Sequence, residues 1–137
     1  MVAAYSGTPL LKKLGIKEHM RVRLIHAPEN YFGLLEKNIT GQFCKNNERP
    51  DFIHLFVKTK MEFEIEMRKL KSSIKPTTSI WISWYKKSAG IPTDITEDMI
   101  RSYALRNDLV DIKVCAVSDV WSGLKLVVPV AKRSKNN

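Results

Sequence analysis

The chain has 137 residues, enough for one domain with a real core, and its 44% hydrophobic and 27% charged residues are those of an ordinary soluble globular protein. Its apolar runs are short, because His54 breaks residues 53–57 while Lys125 and Pro129 break 124–130, whereas a membrane span needs roughly 20 apolar residues. The opening MVAAYSGTPLLKK carries its lysines after the apolar stretch, the reverse of a secretory signal, so a cytoplasmic protein with no membrane partner is expected.

The first element is a short helix: Thr8 can cap it, Pro9 suits its first position, Gly15 suits the residue past its end, and Leu10, Leu11 and Leu14 form its apolar face. After a turn at 16–19, MRVRLIHAP reads as the first strand, ended by Pro28. Residues 30–37 read as a short helix and 39–45 as a short strand before the polar loop KNNERP. Then FIHLFVKT is nearly continuous in apolar residues, as a parallel strand covered on both faces is. Residues 60–75 give the clearest helix, with Phe63, Met67, Leu70 and Ile74 spaced at three and four. KPTT leads into the strand SIWISWY, and Asp94 or Thr96 starts a helix with Glu97 and Asp98 in its first turn. Residues 110–117 and 124–128 read as a hairpin with Gly123 at its turn.

No linker or repeat divides this order, so a single domain over 1–137 is expected, with an N-terminal helix and turn at 1–19 and a basic flexible tail at 131–137. Alternating strands and helices imply right-handed crossovers and a mostly parallel α/β sheet, to which the hairpin adds antiparallel members. Cys44 and Cys115 fall in expected strands, with no CxxC and no ligand-like spacing to His19, His26 or His54. They read as small buried hydrophobes, and no metal is expected.

The strands MRVRLI, DFIHLFV and KPTTSIWISW, with the closing hairpin, resemble the first, fourth, fifth and last strands of a class I methyltransferase. That resemblance implies a Rossmann-like sheet of truncated methyltransferase topology, in which an antiparallel last strand inserts beside its parallel neighbour. The Gly-rich turn that would approach S-adenosylmethionine is HAPEN here, and the acidic residue that would hold its ribose is replaced by GQFCKNN, so no cofactor is expected. The blocks YSGTPLLKKLGIK, HLFVKTK, WISWYKKSAG with TDITED, and KVCAVSDVWSGLKLVV are similar to a small bacterial family of uncharacterised proteins, a domain of unknown function. Membership implies the same fold and compartment and brings no activity with it. His19 stands where that family's turn glycine is expected.

Ligands of open parallel sheets sit beyond the carboxyl ends of the strands. Those ends carry His26, Glu29 and Asn30, then Lys58, then Trp84, Lys86 and Lys87. If the three strands are neighbours, an imidazole, ammonium groups and an aromatic wall converge on a small anionic or nucleotide-like ligand. His26 could carry a changeable charge there. His54, inside an apolar strand, reads as a core histidine bonded locally. No nucleophile, triad or carboxylate pair stands out, so catalytic residues stay unknown and an enzyme is not favoured. Trp121, near the hairpin tip, is a candidate partner surface if exposed. The outer hairpin strand leaves a homodimer open.

The reading favoured by the sequence is a cytoplasmic binding or regulatory module. Two alternatives stand beside it: a divergent enzyme of methyltransferase-like fold, and a basic protein that binds nucleic acid through its first helix and its tail. The +9 formal charge favours the latter. Five acids between 94 and 111 speak for a mixed surface instead.

Overall fold

The computed structural model describes residues 8–133. Helix α1 (Leu10–Leu14) starts after Pro9, whose extended backbone (ψ 144°) makes it the cap rather than the first helical residue, and Thr8 contributes no capping bond. Gly15 ends α1 at φ 79°, where a side chain would be strained. The turn at 17–20 closes through the Met20 amide on the Lys17 carbonyl, and His19 keeps a negative φ, so no glycine is needed there. Strand β1 (Val22–Ile25) is followed by α2 (Tyr31–Leu35).

The strand expected over 39–45 is instead a 3₁₀ turn, Thr40–Gln42. The Asn38 side chain explains the difference. Its Oδ1 accepts from both the amide (2.9 Å) and the hydroxyl (2.6 Å) of Thr40, giving the backbone a local alternative to a ladder. A lone parallel bridge from Val22 to Phe43 is what pairing survives, so Cys44 lies outside any strand.

Strand β2 (Phe52–Phe56) leads into α3 (Lys60–Leu70), capped by the Thr59 hydroxyl on the Glu62 amide. The helix stops short of 75 because the Ser73 amide and hydroxyl both turn back onto the Leu70 carbonyl. Strand β3 (Ser79–Tyr85) precedes α4 (Glu97–Arg106), whose cap is Thr96 rather than Asp94. Strands β4 (Val110–Ala116) and β5 (Trp121–Val127) form the hairpin. Its turn is built by Ser118, whose hydroxyl accepts from the amides of Val120 and Trp121. Gly123 lies inside β5 instead, where a Cβ would come within 3.1 Å of the Trp81 ring and 3.0 Å of Val117. A short helix α5 (Val130–Arg133) takes up residues 131–133 of the expected tail, and the remainder lies outside the described residues.

The sheet order is β1-β2-β3-β5-β4, with β1, β2 and β3 parallel and β5 antiparallel between β3 and β4. This is the Rossmann-like arrangement with an inserted antiparallel last strand. Side chains alternate across it. Ile53, Leu55, Ile80, Ile82, Trp84, Leu124 and Leu126 meet Phe63, Met67, Ile100 and Ala104 of α3 and α4. Phe52, Phe56, Trp81 and Trp121 meet Leu14, Tyr31 and Leu35 of α1 and α2 on the other face.

That division corrects the expectation of uniformly right-handed crossovers. Both parallel connections step in the same direction along the sheet, yet α2 and α3 lie on opposite faces, so the two cannot share one hand. After α2 the chain instead passes along the outer edge of β1, where the Cys44 amide bonds the Val22 carbonyl at 2.8 Å. The edge that a fuller sheet would extend is thereby partly covered.

Candidate functional site

The three parallel strands end on one edge of the sheet, and their ends do not share one crevice. Residues Trp84, Lys86 and Lys87 line an open cleft of about 1080 Å³ at the end of β3, together with Ser122 of β5, the loop residues Ile91, Pro92 and Thr93, and Thr96, Glu97 and Asp98 at the start of α4. His26, Glu29, Asn30 and Lys58 are not among its lining residues. The reason is the strand order: β2 stands between β1 and β3, and the first turns of α3 take up the groups at the end of β1. His26, at φ 58°, places its Nε2 3.0 Å from Glu66 and 3.9 Å from Glu62. Glu29 and Asn30 are exposed, and Asn30 precedes α2 without a side-chain capping bond.

Lys58 still matters to the cleft through its backbone. Its amide donates to Glu62 at 2.7 Å, and its carbonyl accepts from the Thr93 hydroxyl at 2.8 Å. The Lys60 amide adds a bond to Asp94 at 2.7 Å. The long loop after β3 is therefore tied at 93–94 to the start of α3, which fixes the part of the cleft lining that Thr93 supplies.

The charges in the cleft are unequal in effect. Glu97 and Asp98 are both bonded to Arg101, which also donates to Asp111 at 3.0 Å. Hydrogen bonds donated to Glu97 and Asp111 hold the guanidinium firmly protonated, its pKa raised above the ordinary arginine value. Lys86 and Lys87 enter no ion pair among the described residues. The cleft thus presents two ammonium groups against two carboxylates already occupied by an arginine.

The aromatic wall is mostly core. Trp84 borders the cleft and is only 7% exposed. Trp121, expected as a hairpin-tip surface, is 8% exposed: its ring stacks on Tyr85 (4.4 Å between centroids) and stands edge-on to Phe56 (5.0 Å). An indole packed this way offers a partner almost nothing, so the expected surface is corrected. The apolar area of the ring is better satisfied against the sheet than in water.

His54 is fully buried, with Nδ1 2.8 Å from the Tyr31 hydroxyl and Nε2 2.7 Å from the Ser83 hydroxyl. Burial lowers its pKa to about 3, so it is neutral, and burial likewise raises the Tyr31 phenol. This triad of hydroxyl, imidazole and hydroxyl is closed to solvent and does not line the cleft, which fits a structural role. Cys115 is half-buried, and burial raises its thiol pKa, which disfavours the thiolate. Among the described residues no three His, Cys, Asp or Glu side chains are grouped to hold a metal, and no helix is long and apolar enough to cross a membrane.

The sequence pointed to Trp84, Lys86 and Lys87 but missed Ser122 and the start of α4. Ser122 comes to the cleft because β5 runs antiparallel to β3 and pairs it with Trp84. A signal for α4 did exist: Thr96 opens a helix directly after the loop that leaves β3.

Solved structures similar to this chain in fold include two bacterial proteins. A ribosomal protein L11 methylase from Lactobacillus delbrueckii subsp. bulgaricus superimposes with a TM-score of 0.53 at 9% identity, over 87% of this chain and 74% of the methylase. A protein of the NADB-Rossmann superfamily from Streptococcus agalactiae gives 0.53 at 10% identity, over 90% of this chain and 69% of that one. No family model and no curated protein matches the sequence.

Proposed function

We propose that the protein is a ligand-binding module that takes a small anionic or nucleotide-like molecule in the cleft at the end of β3. The reading belongs with the similarity to the uncharacterised bacterial family, which supplies no activity. The observation that carries it is the cleft, which Lys86 and Lys87 line without an ion partner among the described residues while its two acids, Glu97 and Asp98, are paired with Arg101. Its position outside the carboxyl end of a parallel strand is where open α/β sheets hold ligands. Its volume suits a nucleotide-sized molecule, at the upper end of small-molecule sites.

The test is a thermal-shift screen of nucleotides, phosphorylated metabolites, S-adenosylmethionine and S-adenosylhomocysteine at moderate salt. A ligand at a hundredfold over its Kd stabilises the fold by about 2.7 kcal/mol. The expected result is a salt-tolerant shift with one anionic compound that is lost in Lys86→Ala/Lys87→Ala. A shift unchanged in that double variant would overturn the assignment of the cleft. A shift confined to the S-adenosyl compounds would favour the enzymatic alternative, for which the sheet topology alone speaks.

A further inference from the structure

The face of the sheet covered by α1 carries a second cationic site, separate from the cleft. Lys113 of β4 and Lys125 of β5 are directly opposed in the antiparallel ladder. Like charges in that position destabilise a sheet. Lys113 turns away to donate to the Lys13 carbonyl of α1 at 3.0 Å. Lys125 lies beneath the end of the same helix, its Nζ 3.7 Å from where a Cβ of Gly15 would stand. Lys17 follows two residues after Gly15. Among the described residues Lys17, Lys113 and Lys125 enter no ion pair, and the ammonium groups of Lys17 and Lys125 have no hydrogen-bond partner.

Capping of α1 does not account for this charge. The carboxyl end of a helix offers about half a negative elementary charge at most, against three ammonium groups here. Burial and the fields of Lys113 and Lys17 lower the Lys125 pKa, as expected where nothing negative compensates.

We infer that Lys17, Lys113 and Lys125 form a docking surface for the phosphodiester backbone of a nucleic acid duplex. Lysines are flexible point charges that suit phosphate contact without reading bases. Val114 of β4 is paired with Leu124 and so faces the opposite side of the sheet, and on the patch's own face that strand adds only Cys115, half-buried and packed into the core beneath α1 and α2. A lipid surface or a folded protein would call for apolar contact as well. The proposal does not depend on the cleft.

The test is fluorescence anisotropy of a labelled duplex DNA oligonucleotide with the intact chain between 50 and 200 mM KCl. The logarithm of the affinity falls with the logarithm of salt by about 0.9 per phosphate contacted. In K17Q/K113Q/K125Q that slope is expected to shrink by about three units and affinity at the lowest salt to fall more than tenfold. A control, K60Q/K69Q/K71Q, removes equal charge from α3 and its end on the other face and is expected to change affinity by less than about threefold. If the patch variant fails to fold by circular dichroism, Lys17→Gln, an exposed side chain, carries the same reading with a slope loss of about one. Equal weakening by both triple variants would overturn the proposal in favour of diffuse net charge, and absence of binding at the lowest salt would overturn it outright. Displacement of the duplex by stoichiometric inorganic pyrophosphate would also overturn it, reassigning the patch to a small phosphate ligand.

Discussion

His54 and Ser83 join neighbouring parallel strands through their side chains, Nε2 to hydroxyl at 2.7 Å, inside a core where Tyr31 takes the other ring nitrogen. Every polar atom of the set is satisfied. Tyr31→Phe removes one partner and leaves Nδ1 buried and alone, for an expected loss of about 1–3 kcal/mol in urea unfolding.

The same histidine gives a pH dependence. Its folded pKa of about 3 lies below the unfolded value of about 6.5, so the unfolded chain binds more protons in between. Stability is therefore full above that unfolded value and falls as pH drops, approaching about 1.4 kcal/mol per pH unit. Unfolding of the wild type from pH 6.5 to 5, above the carboxylate range, should show this slope. A His54→Gln variant should lose it, and parallel curves would contradict the assignment.

Asp51 ties the starts of β1 and β3 together: it accepts from the Arg21 amide at 2.8 Å and pairs with Lys75, while the Ser79 amide bonds its carbonyl. Burial would raise its carboxyl, but the Arg21 amide and Lys75 together hold it below the usual range. A depressed carboxylate contributes its stability above the unfolded pKa and loses it as pH falls through the folded one. Asp51→Asn should cost about 1–3 kcal/mol at neutral pH and flatten the acid limb of stability below about pH 4.

Gly123→Ala introduces a methyl 3.1 Å from the Trp81 ring and 3.0 Å from Val117. The Trp81 ring cannot retreat easily, since its indole donates to the Leu14 carbonyl at 2.9 Å, and Val117 is itself buried. Thermal unfolding should report a loss of about 1–3 kcal/mol, as overpacked cores do. An unchanged melting temperature would mean that the indole has room to move.

Arg101→Gln tests the charge argument for the cleft. It frees Glu97 and Asp98 at the mouth of the site that Lys86 and Lys87 share. An anionic ligand found by the screen should then bind roughly threefold to tenfold more weakly at low salt, with the difference shrinking as salt rises.

Where chemistry was local, the sequence was legible. The stripe of Phe63, Met67 and Leu70 and the apolar runs of β2 and β3 announced their elements, and Trp84, Lys86 and Lys87 could be placed at a strand end. Illegible were features decided by distant partners. Gly123 looked like a turn residue because the ring that requires it belongs to Trp81, in a strand far back along the chain. The expected meeting of His26 with Lys86 failed because strand order, not strand identity, sets the neighbours, and Glu66 of α3 claims the imidazole. Lys125 falls in an expected hairpin strand, but its place beneath α1 follows only from the insertion of that strand beside β3.

The position of β5 has a consequence for synthesis. As the chain leaves the ribosome, β4 emerges with no strand to pair with, since its ladder is made to β5, which follows it. At about 5–20 residues per second that partner is roughly a second away. Helix α1 waits longer, because its anchor on the Trp81 indole lies 67 residues downstream of Leu14, roughly several seconds at that pace. The nascent chain therefore holds an unclosed sheet until its last strand slides into the gap, and slow codons between 116 and 121 would prolong the interval in which β4, with Ile112 and Val114, is open to other chains.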